Sequence, residues 1–238
     1  MVKLIDLLNE VLLMEAGGQS AGKLEVTNTD VKTARKYLED SGFDVDKHIP
    51  DFDSNYKKAQ KLAHMGSTRR RDMPVIMDTD VAKFQHRLKR GHIDIERPFS
   101  DETDKSNPFP EGLTGKEAES FLVRGLRDAS ISDDKVNVKS KKVKVSNLTP
   151  IQKQIYFDTA MNTMVQFGVK ASISFISSKT FFITSADNYI IDGHHRYLQA
   201  LIIEPNMAVN CLAIDLPIKE LLPLSLAYGD AIGNARNQ

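Results

Sequence analysis

Tryptophan is absent from the 238-residue chain, and cysteine occurs once, at Cys211. A single thiol forms neither an intramolecular disulfide nor a zinc site built from cysteines, which excludes a secreted disulfide scaffold and indicates a reducing compartment. Residues 209–214 around this cysteine are apolar and predict a buried strand, so Cys211 is expected in the core. No uninterrupted apolar run has the length of a transmembrane helix, and we expect no membrane partner.

Net charge is lacking as well, because 32 Lys and Arg residues balance 32 Asp and Glu residues. Proteins that bind nucleic acids or membrane surfaces through their overall charge carry a basic excess, so the composition alone indicates neither partner. Hydrophobic residues make up 41% of the chain, which at this length is enough for a sizeable core. We therefore expect a soluble globular protein with one large domain, or one compact domain with an extension.

The first fifteen residues, MVKLIDLLNEVLLME, differ from the rest of the chain. Their apolar residues recur at helical spacing while Asp6, Glu10 and Glu15 face away, which predicts an amphipathic helix. Residues 16–23 are small and flexible, as in a linker. The acids do not fit a secretory signal. The simplest interpretation is a helix that docks on the body of the protein or on a partner.

The same segment resembles the capsid-targeting peptides of internal virion proteins in T-even-type tailed bacteriophages. In those peptides a prohead protease cuts after a Leu/Ile-x-Glu triplet and before a small residue. Here the triplet Leu13-Met14-Glu15 precedes Ala16. The resemblance implies cleavage between Glu15 and Ala16, a capsid and its protease as partners, and a location in the phage virion interior, the host bacterial cytoplasm, or both.

The rest of the chain alternates helical and strand-like patterns, which predicts an α+β fold. Helices are expected at residues 30–40, 55–65, 80–89, 114–128, 149–167, 197–203 and 218–228. Strands are expected at residues 135–145, 171–176, 180–183, 189–191 and 209–214. Breaks are expected at residues 66–72 and along the Pro- and Gly-containing connection at 94–115.

A lysine ridge is predicted where valines alternate with polar residues in the strand at 135–145. The lysines of this ridge are Lys135, Lys139, Lys141, Lys142 and Lys144. Most such ridges are solvated edges that protect a sheet from aggregation. Contact with nucleic acid is the alternative, through Lys139, Lys141 and Lys142 together with Arg69 and Arg70 of the run Arg69-Arg70-Arg71.

The sharpest motif is DGHHRY at residues 192–197, where the apolar strand YII meets a predicted helix. At such a junction Gly193 can adopt a conformation that is costly for other residues, and the amides that follow can point at an anion. Arg196 adds a fork of donors suited to phosphate oxygens, and His194 or His195 can add hydrogen bonds or titrate near neutrality. Asp192 can hold an imidazole or a hydrated metal ion.

Three other interpretations of this motif stay open. The two histidines could be ordinary polar surface. A transition-metal site is less favoured than phosphate binding, because consecutive residues usually diverge. Nucleophilic catalysis by a histidine or by the distant Cys211 is a third interpretation, although a core position suits this cysteine better.

With DGHHR at 192–196 and Val-Ser-Asn-Leu-Thr-Pro-Ile-Gln at 145–152, residues 143 to about 228 resemble the ParB/sulfiredoxin superfamily. ParB members carry an arginine-rich glycine turn at this place, sulfiredoxins a Gly-x-His-Arg turn, and the form here is closest to ParB-fold free serine kinases. Together with the leader at 1–15 and the mainly helical pattern at 16–134, this resemblance predicts a ParB/sulfiredoxin-like domain at 135–238.

In these relatives the turn binds nucleotide phosphates, of ATP in the kinases and sulfiredoxins and of CTP in ParB. The resemblance therefore implies that Gly193, His194, His195 and Arg196 cradle phosphates, with Gln152 beside them. It also implies catalytic roles for Asp192 and His194, and Mg²⁺ held with the help of Asp192.

The chain departs from the kinases where a glutamate would activate the acceptor hydroxyl. Gln152 and Gln154 occupy that neighbourhood, and neither accepts a proton. Asp158, one helical turn further on, could face the same pocket as a substitute base, but a solvated helix residue is the favoured interpretation. The leading hypothesis is a nucleotide-dependent phosphotransferase acting on an unknown hydroxyl acceptor. The alternatives are a DNA-binding protein or nuclease, and a packaged virion protein without catalysis.

Overall fold

The structure is a computed structural model that describes residues 24–93, 134–178 and 181–236. The leader with its Glu15–Ala16 site, the connection at 94–115 and the helix predicted at 114–128 lie outside these residues. The described residues contain both helices and a five-stranded sheet, so the α+β class is confirmed. Among them, no helix is long and apolar enough to span a membrane.

Four helices precede the sheet in the described part of the chain: α1 (Val31–Asp40), α2 (Val45–His48), α3 (Phe52–His64) and α4 (Asp78–Arg90). Helix α1 begins where predicted, because the Asp30 side chain accepts hydrogen bonds from the Lys32 and Thr33 amides at 2.9 and 3.0 Å. A short 3₁₀ turn, Arg70–Asp72, lies between α3 and α4.

Strands and helices alternate from residue 138 onward. In chain order they are β1 (Val138–Lys144), the 3₁₀ turn Val145–Asn147, β2 (Thr149–Pro150), α5 (Phe157–Phe167), α6 (Val169–Ser178), β3 (Phe182–Thr184), β4 (Tyr189–Asp192), α7 (His194–Ile203), β5 (Ala208–Ile214) and α8 (Ile218–Ala231). The sheet order is β1-β5-β3-β4-β2. Strands β3 and β4 are antiparallel, with Ile183 opposite Asp192 and Thr184 opposite Ile190.

The described residues form two compact units, and neither is one continuous stretch. The first unit comprises residues 24–70, 142–182 without 179 and 180, and 193–211. The second comprises residues 71–93, 134–141, 183–192 and 212–236. Each unit draws on both sides of the predicted boundary at residue 135, and the predicted domain limits stay predictions.

Helix α7 is the central element of the first unit and packs against α3, α5 and α6. From Tyr197 to Ile202 every residue of α7 is buried. Two polar contacts fix the helix: the Tyr197 hydroxyl donates to the Leu148 carbonyl at 3.3 Å, and the Asn55 amide donates to the Ile202 carbonyl at 2.8 Å. The residues that begin α7 are therefore held on a rigid support.

The second unit is organised around α4 and α8. The rings of Phe84 and Tyr228 pack with their centroids 4.6 Å apart. The Asn234 side chain donates to the Val75 carbonyl at 2.9 Å and to an Asp80 carboxylate oxygen at 3.0 Å. These contacts fasten the end of the described chain to the segment around α4.

The helix predicted from residue 149 begins only at Phe157, so its first eight residues were wrongly assigned. Residues 149 and 150 form β2, and the backbone of residues 151–156 is bound by distant partners. Ile151 accepts the Ser67 and Thr68 amides at 2.9 Å, and Ile155 accepts the Val26 amide at the same distance. These long-range bonds replace the local ones of a helix.

The strand predicted at residues 171–176 is also wrong, because these residues belong to α6. Ser172 and Ile176, one helical turn apart, are its buried residues, while Ser174 between them is exposed. Alternation of Ser with Ile and Phe imitated the period of a strand, and packing against α7 instead follows the period of a helix.

Candidate anion-binding turn

Gly193 forms the junction between β4 and α7, where the motif predicted a turn. Its backbone is left-handed, with φ 102° and ψ 23°. A Cβ atom at this position would lie 2.9 Å from Phe182 Cδ1 and 3.2 Å from Arg196 Nη2. Glycine is therefore required twice, for the backbone conformation and for the approach of these side chains.

Arg196 lies in the first turn of α7 and is buried, with 7% of its surface exposed. Its guanidinium carbon is 5.7 Å from the centre of the Phe182 ring, a cation–π arrangement. A cation at the N-terminus of a helix is opposed by the helix dipole. An anion bound at this turn would offset both the dipole and the arginine charge.

His194 is buried, and its Nε2 accepts hydrogen bonds from the Ile151 and Gln152 amides, both at 3.3 Å. An imidazole nitrogen that accepts carries no proton, so the ring is neutral and its hydrogen sits on Nδ1. Burial, with a smaller contribution from the Arg196 charge, lowers the pKa of His194 to about 3. Of the two expected roles, His194 therefore has hydrogen bonding, and titration near neutrality does not apply to it.

His195 binds the same stretch of chain in the same way. Its Nε2 accepts the Tyr156 amide at 3.2 Å, and its ring stacks with the Tyr156 ring at 6.2 Å between centroids and 15° between planes. Burial and then the charges of Arg70, His194 and Arg196 hold the pKa of His195 well below its ordinary value. This histidine too is neutral at physiological pH.

The two histidines thus hold residues 151–156, here called the clamped segment, through three of its backbone amides. The clamped segment pairs on its other side with residues 67 and 68, and the Lys153 amide donates to the Thr68 carbonyl at 2.8 Å. Two residues beyond Thr68 the chain reaches Arg70. Segments far apart in sequence therefore meet at the turn.

Gln152 and Gln154 lie where the resemblance places a catalytic base, and both use their carboxamides within this network. The Gln152 amide nitrogen donates to the Gln154 carbonyl oxygen. Gln154 Oε1 accepts the Arg70 amide at 3.0 Å. Asp158 lies at the start of α5. The pKa of Tyr37 in α1 is raised mainly by burial of Tyr37 and, to a smaller extent, by the charge of Asp158.

The structure divides the predicted nucleic-acid residues into two groups. The ridge lysines are exposed, and all but Lys135 lie in β1, an edge strand of the described sheet. Lys141 donates to Asn188 Oδ1 at 3.0 Å. Arg69 is exposed as well, whereas Arg70 is half-buried with its guanidinium carbon 5.5 Å from the centre of the Tyr156 ring. Arg70 therefore contacts Tyr156, whose ring stacks on His195 of the turn.

Sequence reasoning missed the placement of Arg70 and the part played by Tyr156. Nothing in the run Arg69-Arg70-Arg71 distinguishes its middle member, and a tyrosine before a helix is unremarkable in a single sequence. Asp192 is placed as expected, as the half-buried last residue of β4 directly before Gly193. Cys211 is buried, which confirms its predicted core position.

Within residues 24–93, 134–178 and 181–236, no cluster of three or more His, Cys, Asp or Glu side chains is placed to hold a metal ion. Compared with protein-family models, with curated proteins and with solved structures, the chain gives no match. What the structure defines is the class: an α+β protein with a glycine–arginine turn at the start of a buried helix.

Proposed function

We propose that the protein binds a nucleotide through its phosphates at the turn of residues 193–196, as the resemblance to the ParB/sulfiredoxin superfamily implies. The observation that carries this proposal is the left-handed Gly193 with the Arg196 guanidinium packed against it at the start of α7. The glycine lets the Arg196 side chain approach the start of α7, where backbone amides favour an anion, and the arginine supplies charge-assisted hydrogen bonds.

We further propose that the bound nucleotide, ATP or CTP with Mg²⁺, transfers its terminal phosphoryl group to a hydroxyl oxygen, with cleavage of the bond between the β and γ phosphates and release of the nucleoside diphosphate. The chain's own task is then to position the phosphates and to remove the proton of the acceptor. His194 is a poor base for this step because its pKa is about 3 and its Nε2 already accepts two amides. Asp192 is the better candidate, since it directly precedes the turn.

The alternative role of Asp192 is to hold Mg²⁺, which proteins usually bind with one or two carboxylates together with substrate phosphates and water, and in that role it would not act as the base. A cage made wholly of protein side chains is not needed for that mode of binding. Asp158 is the weaker candidate for the base, since the structure associates its charge with Tyr37.

Isothermal titration with ATP and CTP in the presence of Mg²⁺ tests nucleotide binding. We expect binding of at least one of them, weakened about tenfold or more by Arg196→Ala, because a charge-assisted hydrogen bond contributes ~1.5–3 kcal/mol. Arg69→Ala is the matched control, since it removes an exposed arginine outside the turn. A folded protein that binds neither nucleotide would refute the proposal.

Nucleic-acid binding is the second candidate, favoured by the exposed lysines along the edge strand β1. If the ridge binds DNA, affinity should fall steeply with salt, and replacing Lys139, Lys142 and Lys144 by Gln should make that dependence shallower by ~0.9 per lost phosphate contact. An unchanged salt dependence in this triple variant would rule the ridge out as the DNA contact.

A further inference from the structure

Arg70 lies outside the part of the chain that resembles the superfamily, yet Tyr156 connects it to the candidate turn. Its guanidinium carbon is 5.5 Å from the centre of the Tyr156 ring, and the Tyr156 ring stacks on His195. His195 follows Gly193 by two residues in the first turn of α7. The Tyr156 side chain therefore contacts both Arg70 and His195, one of the residues that begin this helix.

The position of Arg70 is fixed by the clamped segment. The Arg70 amide donates to Gln154 Oε1 at 3.0 Å, and the Thr68 amide donates to the Ile151 carbonyl at 2.9 Å. His194 and His195 hold the same segment by accepting its amides. The histidines thus act as positioning residues. They hold the clamped segment, and the clamped segment in turn binds the backbone at Thr68 and Arg70.

The charges of Arg70 and Arg196 act on one neutral ring, that of His195, and both oppose its protonation. Two cations whose charges act on the same ring also repel each other, and a ligand with a single negative group can compensate only part of that repulsion. A chain of phosphates presents anionic oxygens over a longer span, which matches two cations that come from separate segments.

We propose that Arg70 is a second phosphate-binding residue of the turn, and that the site is built for a nucleotide with two or three phosphates rather than one. This inference rests on the proposed function. Arg196 binds the phosphate nearest the start of α7, Arg70 binds another phosphate of the same chain, and Gln154 and His195 position Arg70 without touching the ligand.

Isothermal titrations of ATP, ADP and AMP with Mg²⁺ against the full chain and its variants test the inference. Arg70→Ala should weaken ATP binding about tenfold or more and AMP binding less than about twofold, so that the preference for ATP over AMP narrows. Arg69→Ala, a neighbouring exposed arginine, should change neither affinity by more than about twofold. Arg196→Ala should weaken all three nucleotides.

The outcomes separate this inference from the proposed function. If the wild-type protein binds no nucleotide, both fall. If Arg196→Ala loses ATP while Arg70→Ala binds it like Arg69→Ala, the role of Arg70 is refuted and nucleotide binding stands. Equal losses for ATP and AMP in Arg70→Ala would refute the selection for several phosphates. Should Arg70→Ala fail to fold, Arg70→Lys keeps the charge but not the planar fork, and the same comparison of ATP with AMP decides.

Discussion

Gly193 combines two constraints that more often occur at different positions, a left-handed backbone and close contact with neighbouring side chains. Gly42, after α1, has the first constraint alone, with φ 79° and no atom within 4 Å of the place that a Cβ would take. Gly193 has both, with φ 102° and Phe182 Cδ1 at 2.9 Å. The two glycines therefore allow the backbone cost to be separated from the contact cost.

Gly193→Ala should lower the free energy of unfolding more than Gly42→Ala. The backbone cost at either position is ~1–2 kcal/mol, and the clash with the Phe182 ring should add ~1–3 kcal/mol at Gly193. Urea denaturation of both variants measures the difference. Equal losses of unfolding free energy in the two variants would show that the Phe182 ring moves aside at no cost and does not pack tightly against Gly193.

The neutral state of His194 makes stability depend on pH. The folded pKa is about 3 and the ordinary value is 6.5, so below pH 6.5 the unfolded chain binds a proton that the folded chain does not. The contribution is complete above pH 6.5 and is lost as pH falls toward 3. Between pH 7 and 5 this histidine alone should cost ~2 kcal/mol of unfolding free energy, at about 1.4 kcal/mol per pH unit.

Urea denaturation of wild-type protein and His194→Gln at pH 7, 6 and 5 tests this prediction. Glutamine offers Oε1 as an acceptor for the Ile151 and Gln152 amides but does not titrate. The variant should lose less stability than the wild-type protein over this range, with the slope from His195 retained. Parallel losses in the two proteins would show that His194 is not held neutral by the fold.

At the scale of the helix and strand, the sequence predicted the elements whose structure is set by residues close together in the chain. Helix α1 was predicted because Asp30 caps its first turn, and β4 because a short apolar run follows a turn. The clamped segment was assigned to a helix because Pro150 suits a first turn. Its true partners, two histidines some 40 residues away, leave no trace in the local pattern.

The same distinction applies to the candidate site. Residues 192–196 were recognisable because the glycine, the histidines and the arginine are adjacent in sequence. Arg70 and Tyr156 could not be assigned to that turn, since only the pairing of residues 67 and 68 with the clamped segment brings them there. The sequence therefore revealed the centre of the site but not the residues that distant pairing adds to it.

Helix α6 offers a test at this scale, because a strand and a helix predict different buried positions in the same residues. In the helix, Ile176 is buried with 1% exposure and Ser174 is exposed. Ile176→Ala should cost ~2–5 kcal/mol of unfolding free energy. Ser174→Glu should stay within ~0.5 kcal/mol. In a strand the two side chains would share a face, so a large loss in Ser174→Glu would contradict the helix.

The N-terminal segment is predicted to be cleaved between Glu15 and Ala16, because it resembles capsid-targeting peptides. Mass spectrometry of protein recovered from phage particles should show an N-terminus at Ala16. Replacing Glu15 by Gln removes the acid of the Leu-x-Glu triplet and should leave the chain uncut. Recovery of wild-type protein that begins only at Met1 would refute processing at this site.

At the scale of the whole molecule, the residues proposed to bind phosphates and to position them come from three separate segments of the first unit. They are the segment that carries Arg70, residues 151–156 and residues 193–196. No single segment supplies both guanidinium groups, because Arg70 comes from the first segment and Arg196 from the last. An extended anion therefore needs both segments in place. Binding of the anion should therefore stabilise the fold that brings the segments together.

Thermal unfolding monitors that coupling directly. At an ATP concentration of about 100 times the Kd, with Mg²⁺, binding should add ~2.7 kcal/mol, which for a chain of this length raises the Tm by ~5–10 °C. At the same concentration a variant that binds about tenfold more weakly, as expected for Arg196→Ala, should show roughly half that shift. Arg69→Ala should show the full shift, since its side chain lies outside the turn. A shift in Arg196→Ala as large as in the wild-type protein would place the nucleotide elsewhere on the chain.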